Sequence, residues 1–99
     1  MNRTFYIAGV QFRTGLKEVG ADLKAGMELD LVPEPENEYD PNAVAIHHEG
    51  THLGYVPKKF SSDVSAILEI DELVCTITKV DMSLKPWEQC EVTVKQKEE

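Results

Sequence analysis

Asn37, Tyr39 and Asp40 stand within four residues of one another in a stretch bracketed by Pro33, Pro35 and Pro41. Asn and Asp side chains bond nearby backbone, and proline locks φ and removes a donor, so this stretch reads as a shaped surface loop and not a ladder strand. Loop scaffolding is a sufficient role for Asn37 and Asp40. Tyr39 asks for more, because a lone aromatic among polar neighbours needs a hydrophobic socket or a ligand over its face. Base stacking is one such cover, worth roughly 1–3 kcal/mol per base. The cations to accompany it are Arg3, Arg13, Lys58 and Lys59, which form a basic patch if the fold brings the first strand beside the Lys58 segment.

The other reactive side chains point to less. Cys75 and Cys90 lie fifteen positions apart with no CxxC pair, so they read as free thiols on strands and not as a disulfide framework or a zinc site. His47, His48 and His52 cluster about Glu49-Gly50, a good tight-turn pair. Adjacent histidines on a strand face opposite sides, and no fourth ligand stands at a useful spacing, so no metal and no cofactor is expected. The carboxylates of the proline-bracketed loop do not follow a calcium-loop pattern. The chain has no GxxxxGK[ST], HExxH or GxSxG motif, and no Cys–His pair with an orienting carboxylate, so catalysis is not expected.

A chain of 99 residues supports one domain with one core, here residues 1–99. With 41% hydrophobic and 28% charged residues it has a globular balance, and its apolar runs fall well short of the ~18 residues that span a membrane. The N-terminus shows no apolar signal region, so a cytoplasmic location is expected. Ten basic residues against eighteen acidic give a net charge of −8, which argues against non-specific duplex binding. That charge is uneven: residues 1–17 hold three basic groups and no acid, whereas residues 18–57 hold one Lys against nine acids.

The elements that must position these groups are mostly strands. Phe5–Phe12 is rich in β-branched and aromatic residues, with Gly9 marking a bend. Residues 13–26 allow at most a short helical turn near Leu16 or Leu23. Met27–Val32 alternates apolar and acidic, Ala43–His48 and Thr51–Val56 form a hairpin, and Leu73–Val80 and Cys90–Lys95 are two further strands. Residues 61–69 offer a serine N-cap and apolar positions at Val64, Ile67 and Leu68, so one short helix is expected there. The tail from Lys95 to Glu99 is expected to fray. The sum is a mainly β chain of five to six strands, which suits a small antiparallel barrel or curled sheet.

Four ordered blocks then resemble one family. Gly9-Val10-Gln11-Phe12, Leu29-Asp30-Leu31-Val32-Pro33-Glu34-Pro35, Asn37 through Ala45 and Gly54-Tyr55-Val56-Pro57-Lys58 are similar to successive blocks of the HIRAN domain. The resemblance implies an OB-like or SH3-like barrel that, in helicase-associated members, grips single-stranded DNA at a free 3′ end, a task tied to DNA repair. By that resemblance Asn37, Tyr39 and Asp40 hold the terminal nucleotide, Lys58 meets phosphate, and Gln11, Phe12 and Arg13 stand at the first-strand positions, with Tyr55 where at least one member has His. Gln11 stands where the helicase-associated members have Arg. An ionised Asp40 accepts a hydrogen bond from a 3′-hydroxyl and repels a phosphate, which selects an unmodified end.

A protein-interaction domain whose acidic surface meets a basic protein partner is the competing expectation, favoured by the net charge. Tyr55 has the simpler alternative of packing into the barrel beside Leu53, and Trp87 that of a loop plug or partner contact.

Overall fold

The computed structural model describes residues 1–97, and among these the chain forms six strands and two α-helices. The strands are β1 (Asn2–Tyr6), β2 (Glu28–Pro33), β3 (Val44–His48), β4 (Thr51–Tyr55), β5 (Leu73–Val80) and β6 (Cys90–Gln96). The helices are α1 (Gly15–Val19) and α2 (Lys58–Leu68). All pairings are antiparallel, in the order β1-β6-β5-β2-β3-β4, and together they make a mainly β, OB-like partial barrel.

β2 is the pivot of the curl. Its Leu29 pairs with Cys75 of β5, while Asp30 through Pro33 pair with β3 from His47 to Val44. One strand thus serves both halves of the sheet, and the two outer ends approach each other. Just beyond β1, Ala8 N–H donates to Tyr55 O at 2.8 Å, and Tyr55 N–H donates to Ala8 O at 2.8 Å. Gly54 permits this seam, since a Cβ there would lie 2.4 Å from Ala8 O and 2.7 Å from Ile7 Cγ2.

Period-two alternation fills the interior. Cys75 and Ile77 of β5 and Cys90, Val92 and Val94 of β6 point inward to meet Ile7, Leu16, Ile46, Leu53 and Val64. Burial pushes the Cys75 thiol up to about 12 and the Cys90 thiol up to about 11, so both remain protonated, and both are free. The Glu49-Gly50 turn closes the β3–β4 hairpin with both residues left-handed, at φ 48° and 85°, the backbone a two-residue turn of matching twist requires. Among the described residues no helix is long and apolar enough to cross a membrane.

Four local expectations need correction. The first strand stops at Tyr6 and not at Phe12, because Gly9 turns left-handed at φ 72° and Val10–Phe12 winds into a 3-10 turn. Two short helices form and not only the one expected near residues 61–69, since the short helical turn allowed near Leu16 forms as α1. α2 begins at Lys58 with no side-chain cap, because Pro57, at φ −53°, already directs the chain into the helix and its carbonyl accepts Phe60 N–H at 2.9 Å. Ser61 therefore sits inside the first turn, while Phe60 stacks on Phe5 of β1 at 5.7 Å. The tail is held further than expected: β6 runs through Gln96, and Lys97 N–H donates to Glu72 O at 3.0 Å. Glu98 and Glu99, the rest of the expected frayed segment, lie outside the described residues.

Because the seam leaves no room at Gly54, Gly54→Ala should cost about 2–3 kcal/mol of stability through backbone overpacking. Urea unfolding of the two chains measures it, and a loss below about 0.5 kcal/mol would show that closure does not depend on this contact.

Candidate functional site

An open cleft of about 570 Å³ lies where the seam, the 34–43 loop and the start of α2 meet. Its form begins with Asn37. The Asn37 Oδ1 accepts the backbone N–H groups of Tyr39 at 2.9 Å and Asp40 at 3.0 Å, a side-chain turn that sets the loop and leaves the Tyr39 ring in solvent. Tyr39 is 90% exposed, so no socket covers it.

Glu34 ties that loop to the barrel. Its Oε1 accepts from Asn37 Nδ2 at 3.1 Å and from the Tyr55 hydroxyl at 2.9 Å. Arg13 Nη2 in turn donates to the Tyr55 hydroxyl at 3.2 Å, with its guanidinium carbon 5.4 Å from the centre of the Tyr55 ring. His52 lies edge-on to Tyr55 at 4.8 Å, stacks on His47 at 4.7 Å, and donates from Nε2 to Gly54 O at 3.0 Å. Burial works to raise the Glu34 carboxyl, but the hydrogen bonds from Asn37 and Tyr55 and the charges of His52 and Arg13 outweigh it and hold Glu34 below the usual carboxylate value. Burial, then the Arg13 charge, lowers His52 from its ordinary value. Burial and the Glu34 bond raise the Tyr55 phenol.

Across the cleft, Asp40 is held at both oxygens. Oδ1 accepts Asn42 N–H at 2.9 Å, and Oδ2 accepts the Ser61 hydroxyl at 3.0 Å. Lys58 and Arg13 supply positive charge at the rim, and among the described residues neither forms an ion pair with a carboxylate.

Six of the residues singled out from sequence thus share one cleft: Arg13, Asn37, Tyr39, Asp40, Tyr55 and Lys58. Gln11 and Phe12 do not line it, because the 3-10 turn after Gly9 carries them to neighbouring depressions. Phe12 is 83% exposed there. Of the other cations, Lys59 turns onto the Phe60 ring at 5.0 Å, and Arg3 reaches back to Asn2 O on β1. Trp87 lies half-exposed in the β5–β6 connection, with Lys85 Nζ 5.8 Å from its ring centre. Sequence reasoning missed Glu34 and Ser61 as parts of the site. Glu34 precedes Asn37 by three residues, a spacing that could have suggested their bond; Ser61 left no such signal.

A curled OB-like sheet with an exposed aromatic, a tethered carboxylate and two cations on one cleft defines a class of small β-barrel recognition modules. The sequence matches the HIRAN domain model over residues 3–98, and the chain belongs to that family of nucleic-acid-binding modules. Its fold is similar to the crystal structure of the HIRAN domain of human HLTF, at 14% identity and a TM-score of 0.73, covering 96% of this chain and 74% of that one. It is similar also to a protein from Lactobacillus plantarum, at 19% identity and a TM-score of 0.82, covering 97% of both chains. Comparison with curated protein sequences gave no match.

Both Glu34 and His52 titrate below their ordinary values in the folded chain, so each stabilises the fold in its deprotonated form. The His52 contribution is intact above its ordinary 6.5 and is lost as pH falls through its lower folded value. That of Glu34 is intact above 4.5 and is lost as pH falls through its own. Thermal melts from about pH 7.5 to about pH 3 should fall in two successive windows, and Glu34→Gln should shrink the lower one without shrinking the upper, because the Glu34 charge works to raise His52. An acid limb unchanged in Glu34→Gln would count against the Glu34 tether.

Proposed function

We propose that this chain is a binding module, not an enzyme, and that its cleft takes single-stranded DNA at a free 3′-hydroxyl end. The observation that carries this reading is the convergence of Tyr39, Asp40, Arg13 and Lys58 on one open cleft in a member of a nucleic-acid-binding family. Each has a separate task. The exposed Tyr39 ring stacks the terminal base, a contact indifferent to sequence because every base has a π-face. Asp40, held at both oxygens yet with lone pairs to spare, accepts the terminal hydroxyl and repels a terminal phosphate. Lys58 and Arg13 neutralise one or two backbone phosphates, so affinity is modest and its salt dependence shallow. Asn37 and Glu34 keep the loop and the Tyr55 wall in register.

Fluorescence anisotropy with a short 5′-labelled strand tests the reading. A 3′-hydroxyl end should bind more tightly than a 3′-phosphate end, and Tyr39→Ala and Asp40→Ala should each weaken hydroxyl-end binding by roughly tenfold with the fold intact. Lys58→Ala should lower the slope of log affinity against log salt by about 1. Unchanged binding in both loop variants would remove the proposed site. No binding of either end at low salt would overturn the reading and favour an acidic surface that meets a basic protein partner, the alternative consistent with the net charge of −8.

A further inference from the structure

We infer that Ser61 is a positioning residue that aims the Asp40 carboxylate at the end of the strand. The inference rests on the proposed recognition of a 3′-hydroxyl and identifies what makes that recognition selective. Ser61 is 3% exposed and does not line the cleft, so it meets no ligand itself. Among the described residues it is the one buried polar side chain.

Its Oγ lies 3.0 Å from Asp40 Oδ2 and 3.0 Å from Lys58 O. An aspartate carboxylate rotates readily about its last torsion, which has broad wells. Here Asn42 N–H holds Oδ1 from the loop, at 2.9 Å, and Ser61 holds Oδ2 from the helix. Tethers on both oxygens fix the plane of the group, and the lone pairs left over are those available to a donor in the cleft. The contact with Lys58 O has a second consequence. The Lys58 carbonyl shares the single Ser61 proton with Asp40 Oδ2, so the donation is three-centred and seats the Ser61 hydroxyl between the first turn of α2 and the loop that bears Asp40. Without the Ser61 hydroxyl, Oδ2 loses its tether, and the carboxylate turns toward water.

The readout is the ratio of dissociation constants for 3′-phosphate and 3′-hydroxyl strands, measured first on the wild-type chain. Ser61→Ala should bring that ratio down by roughly three- to tenfold, toward one, as expected for a lost hydrogen bond to a charged group. Affinity for the phosphate end, held by Tyr39, Arg13 and Lys58, should stay within about twofold, because an alanine at Ser61 removes none of those contacts. Ser61→Thr keeps the hydroxyl and should restore the ratio. Should Ser61→Ala fail to fold, Ser61→Cys, close in size but a weak donor, should show the same loss in a folded chain. A folded Ser61→Ala or Ser61→Cys chain that keeps the wild-type ratio overturns the role of Ser61 alone. A wild-type chain that binds strands without preferring a hydroxyl end overturns the end-recognition reading, and the role of Ser61 with it.

Discussion

The paired hydrogen bonds between Ala8 and Tyr55 join two strand ends that the strand order leaves at opposite edges of the sheet. Exposed edges carry unpaired backbone groups and invite association with other chains, and curling the sheet onto itself removes part of that liability. The seam also builds the cleft. It brings Gly9 and the turn that follows it against β4, so Arg13 can reach the Tyr55 hydroxyl, and Tyr55 can in turn reach Glu34 in the loop after β2. The close approach has a steric condition, the missing Cβ of Gly54. A core of alternating apolar residues supplies the driving force for collapse, but the backbone contact at the seam decides which surface residues become neighbours.

Eighteen acidic residues argue against an anion site until the carboxylates of the loop are followed to their partners. Glu34 is turned inward onto Asn37 and Tyr55 and serves as a wall tether. Asp40 is bonded to Asn42 and Ser61. The cleft therefore presents a carboxylate of defined orientation beside two cations unpaired among the described residues, and not a diffuse negative field. Net charge bears on long-range steering and on non-specific binding, whereas recognition at a single strand end depends on the few groups within hydrogen-bonding reach.

Much of this architecture was legible beforehand. A β-branched run located β5, clean alternation located β6, the Glu49-Gly50 pair located the hairpin, and the prolines about Asn37 marked the loop, because each of these signals depends on neighbours within a few residues. The first strand is shorter than its composition predicts for a related reason: Val10, Gln11 and Phe12 have a strand-like composition, but one left-handed glycine before them redirects the backbone. The start of α2 was missed because the serines after Phe60 look like caps, while the fixed φ of Pro57 begins the helix earlier.

By itself the sequence determined the secondary structure in outline, the family through four ordered blocks, and the residue types that the 34–43 loop offers. Only the tertiary structure decided which of them work together: Arg13 on the cleft and Gln11 off it, Glu34 as a tether, and Ser61 behind Asp40. The physical reason is that strand periodicity and turn chemistry are local, whereas a hydrogen bond between a loop and a helix 21 residues further on exists only once the sheet has curled and its seam has closed.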